Sequence, residues 1–130
     1  MRFTPALFAH TEATLSELLR SPFPADLVVS RAGASALGEY PVFGLPALLV
    51  PYPHAWRYQK VNAEYLSARG AAVILEDHRL NDELVSTLTV LLQNKNKLKS
   101  MRAAMFELSH PRAAEKIASA LIRLAGAKGL

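Results

Sequence analysis

Ser30-Arg31-Ala32-Gly33-Ala34-Ser35-Ala36-Leu37-Gly38-Glu39 decides how this chain is read. It follows Ala25-Asp26-Leu27-Val28-Val29, an apolar run that reads as a buried strand. The chain therefore leaves a strand, crosses small residues and starts a helix. That order aims unpaired backbone N–H groups and the positive end of the helix dipole at an anion. Glu39 falls one turn into the helix, where a carboxylate can accept hydrogen bonds from vicinal hydroxyls. Strand, small-residue turn, helix and early Glu together predict a nucleoside-diphosphate ligand.

Working outward, strand and helix alternate. The strand at Leu27 to Ser30 leads to a helix from Ala34 to about Phe43, which Pro41 must distort and Gly44 ends. Ala47 to Val50 is a second buried strand, closed by Pro51 and Pro53. Arg57 to Arg69 reads as a helix stopped at Gly70, and Ala72 to Leu75 as a third strand. Upstream, Arg2 to Thr4 reads as the end of a strand. Thr11 to Leu19 reads as a helix, broken by Ser21-Pro22-Phe23-Pro24. Downstream the chain is helical: Asn81 caps a helix striped with Leu84, Val85, Leu88, Leu91 and Leu92, Leu98 to Leu108 follows, and Pro111 opens the last. The pattern predicts an α/β fold with a mostly parallel sheet and a helical C-terminal segment.

At 130 residues the chain is one domain, residues 1–130, large enough for a single modest core. It has no cysteine, which excludes disulfides, thiolate chemistry and Cys-based zinc sites. No apolar run approaches the roughly 20 residues of a membrane-spanning helix, and the N-terminus lacks a signal-peptide pattern. A cytoplasmic location is expected. The net charge of +4 comes largely from the second half, where Lys95, Lys97, Lys99 and Arg102 cluster and Arg112, Lys116, Arg123 and Lys128 follow. These cations are neither interleaved with aromatics nor set on a reading helix, so a solvated face is expected and not a nucleic-acid site. The four histidines show no ligand-like spacing. No metal site, cofactor site, paired carboxylates or activated nucleophile is read.

Several residues admit both a structural and a chemical role. Ser35 is either an ordinary N-cap or a phosphate contact, and Gly33, Ala34 and Ala36 are either a tight turn or a place for a ligand to approach the backbone. Glu39 alone reads as a solvated carboxylate. Gln59 and Asn62, three apart on a helix, share a face that meets either solvent or sugar hydroxyls. Arg31 pairs with a phosphate or with a carboxylate such as Asp26 or Glu39. His54, at a strand end, reads as a pocket-wall residue near the diphosphate and not as a base.

Ser30 to Ser35 and Glu39, with Gly44-Leu45-Pro46-Ala47, Val50-Pro51-Tyr52-Pro53-His54-Ala55, Gln59 and Asn62-Ala63, resemble the C-terminal, donor-binding half of the MurG-type N-acetylglucosaminyltransferases. Those GT-B enzymes convert lipid I to lipid II in bacterial peptidoglycan synthesis. The resemblance extends to Gly70-Ala71-Ala72-Val73 and Pro111-Arg112-Ala113-Ala114-Glu115. It implies a partial Rossmann-like fold and UDP-N-acetylglucosamine (UDP-GlcNAc) as donor. It also implies that the turn Gly33-Ala34-Ser35-Ala36 meets sugar and diphosphate without a metal. Members often carry a hydroxyl where this chain has Ala36, which leaves Ser35 or the backbone for the phosphate. The resemblance places Glu39 on the ribose hydroxyls and Gln59 and Asn62 on the sugar. Trp56-Arg57-Tyr58 departs from the family's polar residues and bears on sugar specificity.

The resemblance also implies that the acceptor lipid I and the general base belong to an N-terminal domain not represented here, so no catalytic residue is expected within this chain. The uracil edge would fall near Ala6 and Leu7. The strand at Leu27 to Ser30 would lack a neighbour, an open edge that favours a homodimer or a domain swap. The expected location is the inner face of the bacterial membrane. Alternatives are a non-catalytic nucleotide-sugar-binding subunit with a separate partner, or a related UDP-sugar:lipid glycosyltransferase.

Overall fold

The computed structural model describes residues 25–54 and 57–127. The expectations for Arg2 to Thr4, Thr11 to Leu19, Ala6, Leu7 and Trp56 lie outside them.

Three strands, β1 (Val28–Ser30), β2 (Ala47–Leu49) and β3 (Ala72–Ile74), pair in parallel in the order β1-β2-β3. Val29 lies opposite Leu48, and Leu48 opposite Val73. Each strand is one residue shorter than the apolar run that announces it, because Leu27, Val50 and Leu75 continue the buried chain past the ladder. Between the strands lie helices α1 (Ala36–Phe43) and α2 (Tyr58–Ser67). Both cover one face of the sheet, where Ala36, Tyr40, Ala63 and Leu66 pack on Ala47, Leu49 and Ala72. Sequential parallel strands joined by crossovers of one hand require this arrangement.

The chain then makes a 3-10 turn (Asp77–Arg79) and forms α3 (Leu80–Gln93), α4 (Lys95–Glu107) and α5 (Ala113–Ala127). Leu84, Leu88, Leu91 and Leu92 of α3 close the second face over Leu27, Leu48, Val50 and Leu75. Met101 of α4 joins this cluster while Met105 joins the first. Arg102 stands 3.9 Å from Asp26, just before β1, and Phe106 stands over Gly44, which precedes β2. Helix α4 thus covers the amino ends of the strands and leaves their carboxyl ends open.

Local rules explain the helix ends. Gly44 (φ 57°) and Gly70 (φ 74°) each terminate a helix in the left-handed conformation. Leu45 N–H donates to the Tyr40 carbonyl and Ala71 N–H to the Leu66 carbonyl, each bond spanning the turn the glycine makes. Pro41 sits in the last turn of α1, where its missing N–H costs a single hydrogen bond.

All five helix starts differ from the sequence reading, that of α2 by one residue, since Arg57 is its N-cap and Tyr58 its first residue. Helix α1 begins at Ala36, not Ala34, because Ala34 and Ser35 form a turn whose carbonyls receive the first N–H groups. Asn81 lies inside α3, since the 3-10 turn brings the chain into the helix at Leu80. The asparagine that caps is Asn94, whose Oδ1 accepts from Lys97 N–H at 2.9 Å and starts α4 at Lys95 instead of Leu98. Pro111 precedes α5, which begins at Ala113 once its N–H has bonded the His110 carbonyl.

Candidate functional site

The open carboxyl ends of the strands gather most of the residues singled out in the sequence. The β1–α1 turn, the loop after β2 and the first turns of α2 all lie there, where open α/β sheets bind ligands.

The turn is held from two sides. Beneath it the buried Tyr40 hydroxyl donates to Ser30 Oγ at 2.8 Å, and Ser30 Oγ donates to the Arg31 carbonyl at 2.9 Å. From α2, Asn62 Nδ2 donates to the Ala32 carbonyl at 3.0 Å. Between these ties the N–H groups of Gly33, Ala34 and Ser35 bond to no other described residue. Ser35 occupies the N-cap position but its side chain makes no capping bond, so its exposed hydroxyl is also uncommitted. Among the described residues a Cβ at Gly33 would meet nothing within 4 Å, and its φ is not positive, so neither their packing nor the backbone geometry demands glycine there. Ala36 plays another part: its methyl lies in the core and its N–H is spent on the Gly33 carbonyl. Glu39, on the outer side of α1, is exposed and bonds to no other described side chain.

Gln59 and Asn62 are half-buried on the inner side of α2, and both reach loop backbone. Gln59 Oε1 accepts from Tyr52 N–H at 2.8 Å, pinning the loop after β2. Each amide therefore spends one of its two functions on the protein, leaving Gln59 a donor and Asn62 an acceptor. Holding loop backbone is a role that neither alternative read from the sequence included.

Arg31 reaches neither Asp26 nor Glu39. Its Nη1 donates to the Val50 carbonyl at 3.2 Å and to Asp77 Oδ1, while its guanidinium stacks 5.3 Å from the centre of the Tyr52 ring. Asp26 points to the other end of the sheet, toward Arg102. The exposed His54 ring meets Tyr52 edge-on at 5.5 Å. Asp77 and Tyr40 were not singled out in the sequence, and Ser30 was quoted there without a role of its own. A carboxylate two residues past a predicted parallel strand was the available signal for Asp77. No local pattern marked the bond between Tyr40 and Ser30.

The carboxyl ends of the strands and the loops that follow them make up a shelf. Surface hollows lined by residues from Val90 to Asn96 and from Arg112 to Arg123 include none of the shelf residues.

Comparison with known sequences follows this geometry closely. The profile of the glycosyltransferase family 28 C-terminal domain matches residues 23–117, which include all three strands and every residue of the shelf. The chain belongs to this family. Its fold is accordingly the C-terminal half of the GT-B architecture. The family 28 match is supported by relatives named UDP-N-acetylglucosamine–N-acetylmuramyl-(pentapeptide) pyrophosphoryl-undecaprenol N-acetylglucosamine transferase. The protein of that name from Desulforamulus reducens is 47% identical over 95 residues, 72% of this chain and 26% of its own length. The Desulforudis audaxviator protein is 43% identical over 104 residues, 78% of this chain and 28% of its own. The Methylococcus capsulatus protein is 36% identical over 124 residues, 94% of this chain and 35% of its own. The family 28 chain thus spans about a quarter to a third of the length of these relatives.

Proposed function

We propose that this chain is the donor-holding half of an inverting N-acetylglucosaminyltransferase that uses UDP-GlcNAc and serves transfer to a lipid-linked muramoyl acceptor, converting lipid I to lipid II. The observation that carries the reading is the Gly33-Ala34-Ser35 turn. Among the described residues nothing bonds to its N–H groups or its hydroxyl, and nothing requires its glycine. The names of the relatives support the choice of sugar and acceptor.

In this reading the acceptor 4-hydroxyl attacks the anomeric carbon. The bond from that carbon to the diphosphate breaks with its electron pair passing to the departing UDP, and the hydroxyl proton goes to a base outside these residues. The turn and the N-terminal end of α1 meet the charge that develops on UDP, with dipoles already oriented before reaction. Glu39 accepts from both ribose hydroxyls, a charge-assisted contact. Gln59 Nε2 and Asn62 Oδ1, the amide functions the protein leaves over, take the sugar hydroxyls and orient the anomeric carbon. These 130 residues by themselves bind donor without turnover, and transfer appears when an acceptor domain is supplied in trans.

Among the described residues no helix is long and apolar enough to cross a membrane. The reading puts the reaction at the cytoplasmic membrane face, where the lipid-linked acceptor lies.

The test is calorimetric titration of the chain with UDP-GlcNAc beside Glu39→Ala. Saturable binding that the substitution weakens supports the reading. A folded chain with no binding, or binding indifferent to Glu39, refutes the site.

A further inference from the structure

Arg31 joins the carboxyl ends of all three strands. It follows β1 directly, its Nη1 reaches the Val50 carbonyl just past β2, and the same nitrogen reaches Asp77 in the 3-10 turn after β3. The Tyr52 ring supports the guanidinium from the loop after β2. Every protein hydrogen bond to this guanidinium uses Nη1, among the described residues. The opposite edge, Nε–H with Nη2–H, is the one that makes two parallel bonds to a phosphate, and it is uncommitted. Arg31 also lies two residues before the uncommitted N–H groups of the turn.

We propose that Asp77 is a positioning residue for a phosphate-binding edge on Arg31. Its Oδ1 holds Nη1 in place beside the Val50 carbonyl, which keeps the Nε/Nη2 edge open for the diphosphate of the nucleotide. The inference rests on the reading of the chain as a nucleotide-sugar-binding domain. A pair whose side chains are 45% and 32% exposed adds little to folding stability, so the consequence of holding Arg31 shows in binding. Asp77 also carries a negative charge that opposes an incoming phosphate. Acceptor and charge are separable, because Asp77→Asn keeps Oδ1 and removes the charge whereas Asp77→Ala removes both.

The experiment titrates the chain and its D77N, D77A and R31K variants with inorganic pyrophosphate and with UDP-GlcNAc, following heat and the Arg31 Nε–H resonance. Pyrophosphate is expected to move that resonance in the unsubstituted chain. D77A is expected to weaken both ligands about fivefold, the scale of one long side chain left to be ordered on binding. D77N should stay within about twofold of the unsubstituted chain, since its amide oxygen still accepts from Arg31. R31K should fall with D77A, because an ammonium lacks the planar edge. Melting temperatures should be unchanged by D77A. Binding by D77A at full strength or tighter, D77N falling with D77A, or an Arg31 resonance that pyrophosphate leaves in place each overturns the proposal. Asp77-dependent pyrophosphate binding with no preference for UDP-GlcNAc would refute the nucleotide reading and keep the Arg31 site. Glu39-dependent UDP-GlcNAc binding indifferent to Asp77 would do the reverse.

Discussion

Phe106 of α4 lies over Gly44 so closely that a Cβ on the glycine would fall 2.3 Å from two carbons of the ring. The contact seats α4 across the amino ends of the strands, and the same glycine holds the left-handed turn that ends α1. Gly44→Ala therefore meets backbone strain and a steric conflict together, and is expected to lower unfolding free energy by about 1–2 kcal/mol. Phe106 is 53% exposed and can swing aside, so the strain dominates. Urea unfolding of G44A, F106A and the double variant checks this. The double variant should recover the steric part alone, and a fully additive pair would show that the ring and the glycine do not interact.

Tyr40→Phe removes the donor that steadies Ser30 under the β1–α1 turn and leaves the ring in the core. The expected loss is about 1 kcal/mol of stability, the net worth of one neutral hydrogen bond. Ser30→Ala should cost no less, since it also removes the bond to the Arg31 carbonyl. Denaturation midpoints of the two variants decide the order.

Leu48 sits at the centre of the middle strand with no exposed surface, in contact with the cluster that α3 and α4 close. Leu48→Ala is expected to cost about 2–5 kcal/mol, a large share of what a small domain has. Circular dichroism during heating should show an early or non-cooperative transition. A melt like that of the unsubstituted chain would mean the two faces of the sheet are not one core.

Glu39 bonds to no described side chain, so Glu39→Ala is expected to leave stability within about 0.5 kcal/mol. UDP-GlcNAc affinity should nonetheless fall about tenfold, the scale of a charge-assisted contact. Equal losses in both would make Glu39 a structural residue.

Among the described residues β1 pairs with β2 alone, and Val29 on it is 41% exposed. Sedimentation velocity is expected to show association that grows with concentration and is suppressed by Val29→Lys, a charge set on this strand. A single monomeric boundary over the whole range would contradict this.

The fold was legible because its signals are local. Leu27 to Ser30, Ala47 to Val50 and Ala72 to Leu75 are apolar runs, and Gly44 and Gly70 are stops that only a residue without Cβ adopts freely. The errors were local too. Asn81 and Asn94 both precede leucine-bearing helical segments, and a side chain's choice between capping and solvent depends on where the preceding turn enters. The 3-10 turn after β3 moved that entry.

The sequence by itself determined the order of the elements, the parallel α/β class and the small-residue turn with Glu39 one helical turn beyond it. Periodicity, glycine stereochemistry and helix-start geometry act over a few residues and need no knowledge of the rest of the chain. Only the tertiary structure decided that Arg31 meets Asp77, 46 residues on, and not Asp26 or Glu39. It alone decided that Asn62 spends its donor on Ala32 and that Tyr40 holds Ser30. Such partners are set by how three short strands stack in register and which loops that brings together. A polar side chain bonds to whatever complementary group the packing places within about 3 Å, and no spacing along the chain encodes that distance.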